Sequence, residues 1–295
     1  IWGVQFHPES IGTDYGKVLL SNFLSTVPTV VDPTIDIRRT QSERPDLSAT
    51  SDLKKYRLRF EPLLEVANAE SVFDSLYGES EHAFWLDSTR VDSKMSRFSY
   101  MGGLNSSEGA VLRYSVDDSA LHIKDAGQEC VISGSFFDSI SQFISRFELV
   151  DTDAPFDFRG GLIGYMGYEI KAQTGGDGPY SASTDDSLFL FIERFIVFDH
   201  LEKTAYICAL ETADNTGSID LWFEKCRALK AQINQGPPSV DVHIGHFKPA
   251  QPRPDYLSNI ETALDYIRSG ESYEVCLTTQ FTGLPVENPL ALYRQ

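Results

Sequence analysis

The segment Phe158-Arg159-Gly160-Gly161-Leu162-Ile163-Gly164-Tyr165-Met166-Gly167-Tyr168-Glu169-Ile170-Lys171 lies near the middle of the chain, with strand-like apolar runs on both sides. Gly161, Gly164 and Gly167 recur every third residue. That spacing differs from the Gly-x-Gly-x-x-Gly of a dinucleotide-binding turn. A glycine lacks a Cβ, so a neighbouring strand or ring can lie directly on its backbone. The segment therefore reads as a place of close backbone packing rather than a phosphate cradle. Tyr165 and Tyr168 are expected to fill the space beside the bare main chain.

Working outward, apolar patterns define the surrounding elements. Tyr56–Phe60, Ala83–Leu86 and Arg97–Gly103 read as strands, and Ala110–Val116 with Ala120–Lys124 reads as a hairpin around Asp117-Asp118-Ser119. Ser187–Asp199 is strongly apolar and pairs in a second hairpin with Lys203–Leu210. Helical spacing covers Leu63–Leu76, Phe136–Phe147 and Ile219–Ile233. Many strands with a few interspersed helices predict an α+β domain over residues 56–235.

Two proline-rich stretches punctuate the chain. Residues 28–55, with Pro28, Pro33 and Pro45, carry no period and read as a linker, as do residues 236–251 around Gly236-Pro237-Pro238. Beyond the second, Tyr256, Ile260, Leu264 and Ile267 form a helical row that stops at Gly270. Ser272–Phe281 then alternates like a strand.

The 295 residues allow two domains or parts of three. With 43 acidic and 25 basic residues the formal charge is −18, which repels nucleic acid and anionic membranes as partners. The four cysteines are scattered without a Cys-x-x-Cys pair, which argues against zinc and fits reduced thiols in an intracellular protein. His82, His122, His200, His243 and His246 share no ligand spacing, so no metal site is expected within these residues. No run of about 18 apolar residues is present to form a membrane helix. The chain begins as a strand already under way at Ile1 and stops within a helical pattern at Gln295. We expect a piece of a longer protein, cut at both ends.

Three strings carry a resemblance to known families. Gly3-Val4-Gln5-Phe6-His7-Pro8-Glu9-Ser10 resembles the carboxy-terminal end of a class I glutamine amidotransferase domain, here residues 1–27. The resemblance implies that His7 and Glu9 belong to a Cys-His-Glu triad. In it a thiolate attacks the glutamine amide and the histidine moves the proton. On residues alone, two polar side chains at a strand end such as His7 and Glu9 are more often just a loop.

Gly160-Gly161-x-x-Gly164-Tyr165-x-Gly167-Tyr168-Glu169, together with Trp85-Leu86-Asp87-Ser88 and Arg97-Phe98-Ser99, resembles the amino-terminal domain of chorismate-utilising synthases. This implies an anthranilate synthase component I-like β-sandwich with helices. Asp87 and Ser88 occupy positions that bind an amino acid in anthranilate synthases. A carboxylate can pair with an ammonium and a hydroxyl can hydrogen-bond it. The alternative is that both merely cap the strand end.

The third string, Gly270-Glu271-Ser272-Tyr273-Glu274-Val275-Cys276-Leu277-Thr278-Thr279-Gln280, is similar to the opening of the chorismate-binding catalytic domain, here residues 252–295. An amidotransferase ahead of the synthase is the order of the fused aminodeoxychorismate synthases. The family reaction takes glutamine nitrogen, from an amidotransferase domain in cis, to replace the C4 hydroxyl of chorismate on the way to 4-aminobenzoate and folate. Magnesium is the expected cofactor of the complete enzyme, with its ligands downstream. The implied compartment is cytoplasmic, with the plastid as alternative. The competing readings are an anthranilate synthase and, outside enzymes, an amino-acid-binding or scaffold module.

Overall fold

The computed structural model describes residues 53–63, 68–88, 91, 96–104, 109–150, 153–176, 181–229, 245–284, 286 and 288–294, together with Tyr15, Lys17, Val18, Ser21 and Asn22. The chain divides into two compact units, Ile1–Asp52 and Leu53–Gln295. The elements below belong to the second.

Two sheets form its centre. One has six strands in the order β2-β3-β10-β11-β1-β7 and the other five in the order β6-β5-β4-β9-β8. The strands are β1 (Lys54–Leu63), β2 (His82–Leu86), β3 (Phe98–Leu104), β4 (Ala110–Ser115), β5 (Ala120–Asp125), β6 (Gln128–Ser133), β7 (Phe147–Val150), β8 (Gly161–Met166), β9 (Ser187–Ile192), β10 (Arg194–Asp199) and β11 (Thr204–Glu211). Helix α1 (Ala69–Tyr77) precedes β2, α2 (Phe136–Ile144) precedes β7, and α3 (Thr216–Leu229) follows β11. This is the expected α+β sandwich.

The apolar run Ser187–Asp199 is two strands, not one. It breaks at Glu193: β9 pairs with β4 and β8 in the five-stranded sheet, and β10 with β3 and β11 in the six-stranded sheet. The switch explains the unbroken hydrophobicity. On β10, Phe195 and Val197 join the core between the sheets, while Ile196 and Phe198 join a second core against the helices. A strand buried on both faces loses the usual apolar–polar alternation. The second core is filled by Val72 and Leu76 of α1 and by Ile219, Trp222 and Phe223 of α3.

The glycine segment packs as expected at Gly164. A Cβ there would overlap the Leu188 carbonyl oxygen of β9. Its tyrosines depart from expectation. Tyr165 and Tyr168 are 42% and 80% exposed, because β8 is an edge strand and Tyr168 starts a 3-10 turn, Tyr168–Thr174.

Several boundaries also move. The helical pattern of Phe136–Phe147 ends at Ile144, and Phe147 instead opens β7, which pairs in parallel with β1. The polar strand β6 has no apolar alternation to announce it and forms by a two-residue turn, Ala126-Gly127, from β5. The strand expected over Ser272–Phe281 does not form. Only β13 (Phe281–Thr282) pairs, with β12 (Lys248–Pro249). A strand needs a partner for its backbone groups, and no other described strand lies beside this segment. The helix before it, α4 (Arg253–Ser269), forms as expected, with Gly270 in the left-handed conformation as its stop. None of its residues is buried.

Candidate functional site

Asp87 and Ser88 run just past the end of β2, whose last pair with β3 joins Leu86 to Tyr100. Ser88 is tied to β3 twice. Its backbone N–H donates to Ser99 Oγ at 2.9 Å, and its hydroxyl donates to the Phe98 carbonyl at 2.8 Å. Its one donor is therefore used, and its lone pairs remain for accepting.

Ser99 is fully buried and sits at the centre of the group. Its hydroxyl donates to Asp87 Oδ1 at 3.0 Å and lies 2.6 Å from His200 Nε2. A hydroxyl has one proton and two lone pairs. With the proton given to Asp87, the lone pairs accept from Ser88 N–H and from the ring, which assigns the proton of His200 to Nε2.

The turn carrying His200 is braced by a buried carboxylate. Asp199, 1% exposed, accepts from Arg97 Nη2 at 2.6 Å and Nε at 3.0 Å, and from the amides of Leu201 and Glu202. Burial raises its pKa, but the Arg97 guanidinium and the two amides outweigh this and hold it below the ordinary carboxylate range.

The other oxygen of Asp87 faces helix α5 (Pro289–Tyr293). Tyr293 donates its hydroxyl to Asp87 Oδ2 at 2.6 Å, and that bond, followed by burial, pushes the phenol up to about 12. The Tyr293 ring lies 5.5 Å from Trp85, which stacks on Phe73 of α1 at 5.5 Å. Asn288 caps α5 through the Ala291 amide, and Arg294 Nε forms an ion pair with Glu70 at 3.2 Å. A cavity of 630 Å³ opens between these rings, with Glu81 also on its wall. The Trp85 indole nitrogen is buried without a hydrogen-bond partner.

Among the described residues the cavity wall carries one carboxylate, Glu81, beside aromatic faces that favour a cation or a ring. Asp87 and Ser88 do not line it, and Asp87 reaches it through its hydrogen bond with Tyr293. Among the described residues no group of three or more His, Cys, Asp or Glu could hold a metal ion. They do not fit a magnesium site. His7 and Glu9 lie outside the described residues, as does His243. His82, His122, His200 and His246 form no cluster.

Sequence reading singled out Asp87 and Ser88 but missed the roles of Ser99, His200 and Tyr293. Ser99 stood within a quoted string and His200 in a turn. No spacing rule connects residue 293 to residue 87.

The chain superposes on anthranilate synthase component I from Streptococcus pneumoniae with a TM-score of 0.51, over 78% of this chain and 51% of that one, at 21% identity, a likeness of fold. Residues 89–295 match the chorismate binding enzyme family, and the chain belongs to it. It is 31% identical to an aminodeoxychorismate synthase of Streptomyces pristinaespiralis, over 99% of this chain and 43% of that protein. It is 27% identical to a probable chloroplastic aminodeoxychorismate synthase of Oryza sativa, over 95% of this chain and 40% of that protein. The chain thus spans about two fifths of the length of these relatives. Among the described residues no helix is long and apolar enough to cross a membrane.

Proposed function

We propose that the chain is part of a glutamine-dependent aminodeoxychorismate synthase, which aminates chorismate to 4-amino-4-deoxychorismate for 4-aminobenzoate and folate synthesis. The observation that carries this is the continuity of the Streptomyces alignment, which runs over 99% of the chain. It includes the stretch ahead of residue 89, where the family match begins.

In this reading residues 1–27 end an amidotransferase domain in cis, 28–55 are a linker, 56–235 are the sandwich, 236–251 a second linker, and 252–295 open the chorismate-binding domain. His7 and Glu9 serve the glutaminase triad, where the imidazole takes the thiol proton and the carboxylate orients the ring and stabilises its charged form. Holding both sites in one polypeptide keeps ammonia at high effective concentration for the second reaction. Magnesium would neutralise substrate carboxylates in the complete enzyme. No step is assigned to it, since the described residues offer it no site. The enzyme is cytoplasmic, or plastid in a plant.

The test uses the complete protein with chorismate, magnesium, glutamine and added aminodeoxychorismate lyase. Formation of 4-aminobenzoate, with His7→Ala active only on ammonia, is the expected result. Formation of anthranilate would replace this reading with an anthranilate synthase.

A second reading is favoured by the aromatic cavity beside Asp87: the sandwich is an amino-acid-binding module. Tryptophan binding that is lost in Ser88→Ala is the expected sign of it. Absence of binding would remove the module and leave the enzyme.

A further inference from the structure

A second cavity, of 240 Å³, lies at a different end of the sandwich. Its walls come from six elements that the sequence does not place together. Phe147 and Leu149 of β7, Leu162 of β8, Phe191 of β9 and Leu210 of β11 make it apolar. Tyr56 and Ile144 close it further, and Arg159 is the one charged residue among its described lining.

The void has a local cause. Gly161 stands in its wall at φ +110, and a Cβ built there meets nothing within 4 Å. The space a side chain would occupy is left open. Phe147 and Phe191, stacked on each other with centroids 4.7 Å apart and planes 20° from parallel, both line the cavity and give it an aromatic wall. Ile144 and Leu149 are 49% and 42% exposed, which leaves bare apolar surface at the cavity.

Size and charge restrict what fits. An apolar cavity of about 150 Å³ is enough for a benzene ring, and drug-sized ligands need about 300 Å³ or more. The cavity therefore takes one six-membered ring and a small substituent. Among the described residues no carboxylate lines it, so it does not suit an ammonium. The nearby Glu193 is already engaged. It accepts from the Tyr56 hydroxyl at 2.5 Å and pairs with Lys54 at 3.6 Å. A guanidinium has five N–H donors in a planar fork, so Arg159 can bind a carboxylate in addition to the contacts it already makes.

We propose that this cavity is a binding site for a single-ring aromatic carboxylate, with the ring against Phe147 and Phe191 and the carboxylate on Arg159. The site stands apart from Asp87 and does not depend on the proposed enzyme activity.

The experiment is titration of the complete protein with benzoate and with benzamide, which has the same ring and no charge, followed by ligand-observed NMR. Benzoate should bind about 10-fold more tightly than benzamide. Arg159→Met should abolish that preference while leaving benzamide binding in place. Ile144→Trp, at the half-exposed last residue of α2, should weaken both by about 10-fold or more through filling the cavity. Three results would overturn the proposal: no saturation by benzoate in the millimolar range, equal affinity for the two probes, or binding that survives Ile144→Trp unchanged.

Discussion

Tyr293 and Asp87 are 206 positions apart in sequence and joined by a 2.6 Å hydrogen bond between phenol and carboxylate. The bond fastens helix α5, within the stretch resembling the chorismate-binding domain, to the end of β2 in the sandwich. Asp87 in turn receives the Ser99 hydroxyl, which contacts His200. One carboxylate thus ties together three parts of the chain.

Tyr293→Phe should therefore loosen α5 while leaving the sheets intact. Tyr293 is 54% exposed, so the loss of stability should be at most about 1 kcal/mol. Hydrogen exchange at Ala291–Tyr293 should quicken, with strands β10 and β11 unaffected. The bond also has a pH signature. The phenol is raised to about 12 in the folded chain, against about 10 when unfolded. Its contribution is complete below pH ~10 and is lost as pH rises through the folded value. An ultraviolet titration in which the tyrosine spectrum shows no group ionising late, or none altered by Tyr293→Phe, would contradict the bond.

The α+β class was legible in the sequence because most strands alternate or end at recognisable turns, whereas the sandwich came from the family resemblance. What was illegible depends on long-range partners. The run Ser187–Asp199 looks like one strand, since nothing local marks the change of sheet at Glu193. The parallel pairing of β7 with β1 leaves no trace in either segment. Ser272–Phe281 has perfectly good alternation and pairs only at its last residue, Phe281, because alternation describes a face and not a neighbour. The candidate site follows the same rule. Asp87 and Ser88 are adjacent and were found, while Tyr293 reaches them only through the packing of α5.

The Arg97–Asp199 pair sets an acid limit on the β10–β11 turn. The Asp199 pKa is depressed in the folded chain, so its stabilising contribution is present above about pH 4 and is lost as pH falls through the folded value. Asp199→Asn should remove the charge that Arg97 and the Leu201 and Glu202 amides share. We expect a cost on the order of 2 kcal/mol in urea denaturation at neutral pH. The difference from wild type should shrink toward pH 3. A constant difference across that range would assign the effect to packing instead.

The four cysteines should separate by reactivity. Cys208 and Cys226 are buried, and burial pushes both thiols far up. Cys130 and Cys276 are exposed. Since the thiolate is the nucleophile, iodoacetamide at pH 8 should label Cys130 and Cys276 first. Labelling of Cys208 and Cys226 should wait for unfolding. Peptide mass spectrometry resolves the four sites, and early modification of Cys208 would show that the core between the sheets opens.

Two glycines test the packing argument in opposite directions. At Gly164 a methyl group would overlap the Leu188 carbonyl oxygen and approach the Phe189 Cα at 2.7 Å. Those are backbone atoms of a paired strand, so neither can swing aside, and β8 would have to leave β9. Gly164→Ala should cost on the order of 3 kcal/mol, at the upper end for overpacking. Gly217, in the first turn of α3, is the contrast, since a Cβ there meets nothing within 4 Å. Alanine lowers the entropy of the unfolded chain and favours the helix, so Gly217→Ala should stabilise by about 0.5 kcal/mol. The two are compared by urea denaturation under one set of conditions. If both substitutions proved neutral, the glycine-rich segment would owe its composition to something other than the approach of β9. A destabilised Gly164→Ala beside a stabilised Gly217→Ala ties the missing side chain at residue 164 to the pairing of the edge strand.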